Sequence, residues 1–156
     1  MTLICDRQLL LIVGPSGAGK TTYLRERVAG CLILDLELIL DALLFQRKYY
    51  PAARKVAETM FQSGWACALS TGANLAVTAW GATRRERQQL VAPAKAAGYR
   101  VTMIFLQVPI EECLRRCRAD PQRPRTTDWR PILANWFKRF EPITADEADE
   151  ISEIAL

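Results

Sequence analysis

The stretch Gly14-Pro15-Ser16-Gly17-Ala18-Gly19-Lys20-Thr21-Thr22 follows an apolar run, Leu9 to Val13, and precedes a helix-like segment. Gly14 and Gly19 frame four residues, and Lys20-Thr21 follows at once. Each fixed position has a physical reason. A chain leaving a strand must turn tightly to aim its backbone N–H groups at a polyphosphate, and glycine removes the Cβ that would block the turn. The helix that follows adds its first unpaired N–H groups and its positive dipole end. In a cradle of this kind the lysine ammonium reaches the β- and γ-phosphates and the threonine hydroxyl holds Mg²⁺. The stretch therefore points to a nucleoside-triphosphate site, with Gly14 to Thr22 as its wall, Lys20 on the phosphates and Thr21 as the metal ligand. A glycine-rich turn without that purpose would need neither the strand before it nor the Lys-Thr pair after it.

Outward from the loop, residues 4–13 read as a strand buried on both faces, and residues 20–29 as a helix stopped at Gly30. A short apolar strand over 31–34 leads to carboxylates at Asp35, Glu37 and Asp41, with a helix beginning near Glu37. Pro51 opens a helix to about residue 69, interrupted in pattern by Gly64. A third strand follows at 74–78, and Thr83 with Glu86 forms a capping box for a helix ending at Gly98. A fourth strand spans 100–108, and Pro109 with Glu111 and Glu112 starts a helix bearing Arg115, Arg116 and Arg118. After a proline-punctuated segment, Asp128 caps a last amphipathic helix. Thr144 and Glu147 read as a second capping box, and residues 151–156 as a fifth strand or a tail. Strands alternating with helices predict an α/β fold of the P-loop NTPase kind. That fold is a three-layer sandwich around a four- to five-stranded parallel sheet, here one domain over residues 1–156 with an arginine-bearing lid at about 115–128.

Composition narrows the classes. No apolar run approaches the roughly 18 residues of a membrane span, and residues 1–7 do not read as a signal peptide. Five cysteines, an odd number, sit mostly among apolar neighbours with no histidine in the chain, which favours reduced core thiols in a cytoplasm over disulfides or zinc. The net charge of +4 is uneven: all 21 Lys and Arg lie at or before Arg139, while the last 16 residues hold six acids and no base. A basic body suits an anionic ligand such as a nucleotide or nucleic acid, and equally a solvated surface.

Separating a kinase from an NTPase switch is a group that places an acceptor oxygen in line with the γ-phosphorus. Asp35 and Glu37 lie just after the second strand, and if that strand continued through them they would share a face. One would take or orient the acceptor proton; alternatively one is the helix cap. Arginines between 115 and 125, with Arg116 and Arg123 among them, offer positive charge on a segment able to close over the nucleotide. Arg47, Lys48, Tyr49, Tyr50, Arg54 and Lys55 interleave bases with aromatics, as in a groove that stacks nucleobases and as in a helical hairpin with core tyrosines.

From about Leu9 to Ile151 the chain resembles the P-loop kinase family that includes the kinase domain of phage-type polynucleotide kinase, chloramphenicol phosphotransferase and the zeta toxins. Beyond the phosphate loop, the resemblance rests on Val108-Pro109 through Glu112-Cys113 to Arg116, and on Phe140-Glu141-Pro142 through Glu147 to Ile151. It implies ATP and Mg²⁺ as cofactors, Lys20 and Thr21 as phosphate and metal ligands, and Arg116 as an arginine near the nucleotide. Glu37 falls at the family's catalytic aspartate, with Asp35 two residues early. Three positions depart from the family pattern. Leu40 stands where an arginine usually holds the acceptor's phosphate, and Thr78-Ala79-Trp80-Gly81 stands where strand three usually ends in Asp-x-Thr-Asn. Asp120 stands near the second lid arginine, whose role would pass to Arg118, Arg123 or Arg125 or be absent. The implied activity is transfer of the γ-phosphate to a hydroxyl. The leading expectation for the acceptor is the 5′-OH of a polynucleotide, a single-stranded nucleic-acid end; the alternatives are a small alcohol, nucleoside or drug as acceptor, and a nucleotide-binding module with little transfer activity.

Overall fold

The first strand, β1 (Gln8–Val13), is also the innermost, because its residues are apolar on both sides of the pleat. The computed structural model describes residues 7–44, 50–121, 123 and 127–156. Around β1 lie β2 (Leu32–Leu34), β3 (Leu75–Ala79), β4 (Arg100–Gln107) and β5 (Glu150–Ala155), all parallel and ordered β2-β3-β1-β4-β5. The C-terminal residues are thus a fifth strand, with Met103 opposite Ile151. The helices are α1 (Lys20–Arg27), α2 (Leu36–Leu43), α3 (Pro51–Thr71), α4 (Arg84–Ala96), α5 (Ile110–Ala119) and α6 (Trp129–Arg139).

Alternation along the strands divides the core into two layers. Leu9, Leu11, Val13, Leu75, Val77, Met103 and Phe105 face one side, where they pack with Phe61 and Trp65 of α3 and Leu90 and Val91 of α4. Ile12, Ala76, Ile104 and Leu106 face the other, against Leu24 of α1 and Cys113 and Leu114 of α5. Helix α6 closes the β5 side, sending Leu133 to the second layer and Trp136 to the first. There Trp136 and Phe105 each stack on Phe140 at 4.9 Å between ring centroids. The architecture is the expected α/β sandwich with a five-stranded parallel sheet. No helix among the described residues is long and apolar enough to cross a membrane.

One open alternative is decided and one local expectation is corrected. Strand β2 ends at Leu34, so Asp35 and Glu37 do not share a strand face; Asp35 is the N-cap of α2, and Glu37 lies in its first turn. Thr144 and Glu147 start no helix. The Thr144 N–H does reach Glu147 Oε1 at 3.1 Å, but the carboxylate turns inward to Arg87, and the chain enters β5 three residues later. The capping box at Thr83 and Glu86 and the cap at Asp128 are both present. Helix α3 runs unbroken through Gly64, and α4 carries Pro93 inside it.

Candidate active site

All five strands are parallel, so their carboxyl ends share one edge of the sheet, and the connections from β1 and β3 open a crevice there. The phosphate loop leaves β1 into this crevice. Its start is pinned where the Gly14 N–H donates to the Ala79 carbonyl at 3.3 Å, and Gly19 caps α1 with φ of 94°. No side chain caps α1 and no acid lies in its first turn. Gly17, at φ 79°, sits so close to α5 that a Cβ there would lie 2.5 Å from the Cys113 carbonyl oxygen and 3.0 Å from Cys117 Sγ. Burial raises both thiols, Cys113 to about 11, so these cysteines are packing groups beneath the loop. Of the other three, Cys31 and Cys67 are free thiols, and Cys5 lies outside the described residues.

Lys20 turns back into the loop and donates to the Gly14 and Pro15 carbonyls at 2.8 and 2.9 Å. Desolvation lowers its pKa from the usual 10.5 to about 8, against the pull of Asp35 and Glu37 in the other direction. Beside it the Thr21 hydroxyl donates to Asp35 Oδ2 at 2.8 Å. The other oxygen of Asp35 accepts the Glu37 and Leu38 N–H groups at 2.8 and 3.1 Å. Asp35 is 2% exposed, and it joins the end of β2 to the first turn of α1. Glu37, by contrast, is exposed and looks across to Arg54 of α3, 3.7 Å away.

Arg116 lies over the loop. Its Nη1 is 3.5 Å from the Gly17 and Ala18 carbonyls, and its Nε donates to Glu112 at 2.7 Å. Hydrogen bonds from Arg115 and Arg116 hold the Glu112 carboxyl down to about 2. Arg123 pairs with Asp120 at 3.2 Å and lies over the Trp129 ring at 4.8 Å. Lys20, Thr21, Thr22, Asp35, Glu37, Arg116 and Arg123 all border one cavity of about 1120 Å³, with Ser16, Gly17 and Gly19. Thr78, 8% exposed, lies at the β3 end of it. Gln122, Arg125, Arg47, Lys48 and Tyr49 lie outside the described residues, while Tyr50 is 67% exposed and not against the core.

The same cavity is bordered by Glu58 and Gln62 of α3, Trp80 after β3 and Gln89 of α4, none of which stood out in the sequence. Arg54 and Glu58, one helical turn apart, were the signal available for an ion pair on that wall.

Residues 9–134, more than half of the chain and including the loop, β3 and α5, match the family described as an AAA domain. The chain belongs to this family. Its fold is that of the P-loop kinases. A candidate kinase from Chloroflexus aurantiacus superposes on this AAA domain with a TM-score of 0.71 at 15% identity, over 95% of this chain and 87% of that one. A chain of the Pnkp1/Rnl/Hen1 RNA repair complex does so with a TM-score of 0.64 at 17% identity, covering 85% of this chain and 43% of that one, so the match spans less than half of the larger protein. A gluconokinase from Sinorhizobium meliloti gives 0.61 at 12% identity, over 96% and 82% of the two chains. No curated protein matches this chain in sequence.

Proposed function

We propose that this AAA domain is an ATP-dependent phosphotransferase that moves the γ-phosphate onto a hydroxyl group. The observation that carries the reading is the meeting of Lys20, Thr21, Asp35 and Arg116 in one cavity, with the Thr21 hydroxyl already 2.8 Å from a buried carboxylate. Mg²⁺ suits the Thr21 hydroxyl, a hard oxygen donor, and the ion would supply charge neutralisation on the phosphates. Lys20 and the N–H groups at the start of α1 bind the phosphate chain, and Arg116 adds charge from α5 beside the loop. The acceptor oxygen bonds to the γ-phosphorus as the bridge to the β-phosphate breaks and ADP departs; the acceptor proton passes to a carboxylate. Asp35 is the better placed acid, since it sits beside Thr21 while Glu37 faces Arg54.

Between the two acceptor readings, the small hydroxyl compound is favoured over a polynucleotide 5′-OH. Among the described residues, Arg54 is the one cation that α2 and α3 bring to the cavity, and it is held 2.8 Å from Glu58 and 3.7 Å from Glu37 rather than standing ready for a phosphodiester backbone. Leu40, where the resemblance expects an arginine, is buried against α3. The test is transfer of label from γ-labelled ATP to 5′-OH oligonucleotides and to small polyols, with Lys20→Ala as control. Label on oligonucleotide ends alone would reverse the acceptor choice, and tight ATP binding with no product from any acceptor would point to a nucleotide-binding module.

A further inference from the structure

Of the residues of α5, Arg116 alone borders the cavity. A free arginine side chain samples many rotamers, and ordering it on a ligand costs conformational entropy. Here the ordering is built into the helix. Arg116 Nε donates to Glu112 Oε1 at 2.7 Å, one turn back, whereas its Nη1 stands 3.5 Å from the Gly17 and Ala18 carbonyls, at the outer limit of a hydrogen bond. The guanidinium is therefore gripped at Nε and only loosely engaged where it overhangs the loop. Glu112 is held in turn. Arg115 Nε donates to its Oε2 and Arg115 Nη2 to its Oε1, both at 2.7 Å, a fork that fixes the plane of the carboxylate.

The Arg115 side chain is 69% exposed, while those of Glu112 and Arg116 are 29% and 32% exposed, so the brace stands in solvent and the braced pair is partly shielded. Two guanidiniums around one carboxylate also leave a net positive charge beside the loop. We propose that Glu112 is a positioning residue for the nucleotide: braced by Arg115, it holds Arg116 over the phosphate loop so that the guanidinium meets its ligand already oriented. The inference rests on the nucleotide site of the phosphotransferase reading and on no choice of acceptor. Its sign is distinctive. A carboxylate near a phosphate site acts by charge alone to repel the ligand, so removing it would tighten binding. Removing a carboxylate that orients Arg116 weakens binding instead.

The experiment measures ATP dissociation constants by calorimetry, with the thermal midpoint of each protein, for the wild type, Glu112→Ala, Glu112→Gln, Arg116→Gln, and the Glu112→Ala and Arg116→Gln changes combined. Glu111→Gln serves as a control, since Glu111 shares the first turn of α5 and is exposed. Glu112→Ala is expected to weaken ATP binding roughly three- to tenfold, and Glu112→Gln to weaken it less, because the amide oxygen still accepts from Arg116 Nε. Glu111→Gln leaves the affinity within about twofold, and Glu112→Ala has no weakening effect once Arg116 is replaced. Where Glu112→Ala lowers the thermal midpoint, the same comparison is made with Glu112→Gln, whose loss must likewise vanish beside Arg116→Gln. Unchanged or tighter binding in Glu112→Ala, or a loss that persists in the Arg116→Gln background, overturns the positioning role. Failure of the wild type to bind ATP, with Lys20→Ala as its control, overturns the nucleotide site itself.

Discussion

Arg87 and Glu147 form an ion pair with both side chains fully buried, 60 residues apart in the chain, and its loss is open to a quantitative test. The Arg87 Nε donates to Glu147 Oε2 at 2.6 Å and Nη2 to Oε1 at 2.8 Å, while Nη1 donates to the Gly81 carbonyl at 2.9 Å. The guanidinium thus ties α4, the β3 exit and the approach to β5 together. Glu147→Ala removes the counter-charge and leaves a buried guanidinium with only carbonyl partners, which costs about 3–5 kcal/mol. For a domain of this size that amounts to a fall in Tm of roughly 6–20 °C. Replacing both residues by Met at once restores most of the loss, because no charge then remains buried. Burial pushes the Glu147 carboxyl up, but Arg87 pulls it further down, so it ends below the ordinary value of 4.5. A lowered carboxyl contributes its stability above that ordinary value and loses it as pH falls through the folded one, so the wild type loses more stability than the double variant below about pH 4.5. Urea titrations at pH 7 and pH 3.5 read all three proteins. A cost under 1 kcal/mol for Glu147→Ala, or no rescue by the double variant, refutes the reasoning.

Three further outcomes are expected. Asp35→Asn keeps the α2 cap, since asparagine caps as well as aspartate, yet lowers turnover by ~100-fold or more with ATP affinity within a few-fold, whereas Glu37→Gln lowers it by less than about tenfold; the reverse order, read by steady-state kinetics, would move the acid to Glu37. Because the Lys20 ammonium ionises near pH 8, bound phosphates restore its charge, and ATP binding at pH 8.5 takes up roughly three-quarters of a proton; calorimetry in two buffers of different ionisation heat checks this, and zero uptake contradicts it. Gly17→Ala forces a side chain into a left-handed backbone at φ 79° against the Cys113 carbonyl, and is expected to cost at least about 1–3 kcal/mol with a matching loss of ATP affinity; an unchanged thermal midpoint and affinity would show that the loop yields instead.

What could be read in advance follows the range of the forces involved. The phosphate loop, the strand and helix order and the cap at Thr83 are local signals, set by residues within a turn or two of each other. The choice between Asp35 and Glu37 is not local: both are acids in an apolar run, and only the close of β2 at Leu34 makes Asp35 the cap and brings it to Thr21. Arg87 and Glu147 are likewise matched only in space, because nothing near either one announces a partner 60 residues away. The Thr144–Glu147 spacing fits a capping box, but a buried guanidinium competes for the same carboxylate and wins. Gly64 interrupts the helical pattern of α3, yet a Cβ there would lie only 3.2 Å from the Leu34 Cδ2 methyl, so the glycine serves close contact between α3 and β2.

The closeness of Gly17 to α5 bears on how the loop can be altered. Eight consecutive residues look like a portable cassette, but the floor on which they rest is a carbonyl and a thiol supplied from Cys113 and Cys117, almost a hundred positions downstream. A chimera that exchanged residues 14–21 alone would inherit the turn without its foundation. Recombination that keeps α5 with the loop preserves the cradle, and any redesign of nucleotide preference has to treat the two segments as one unit.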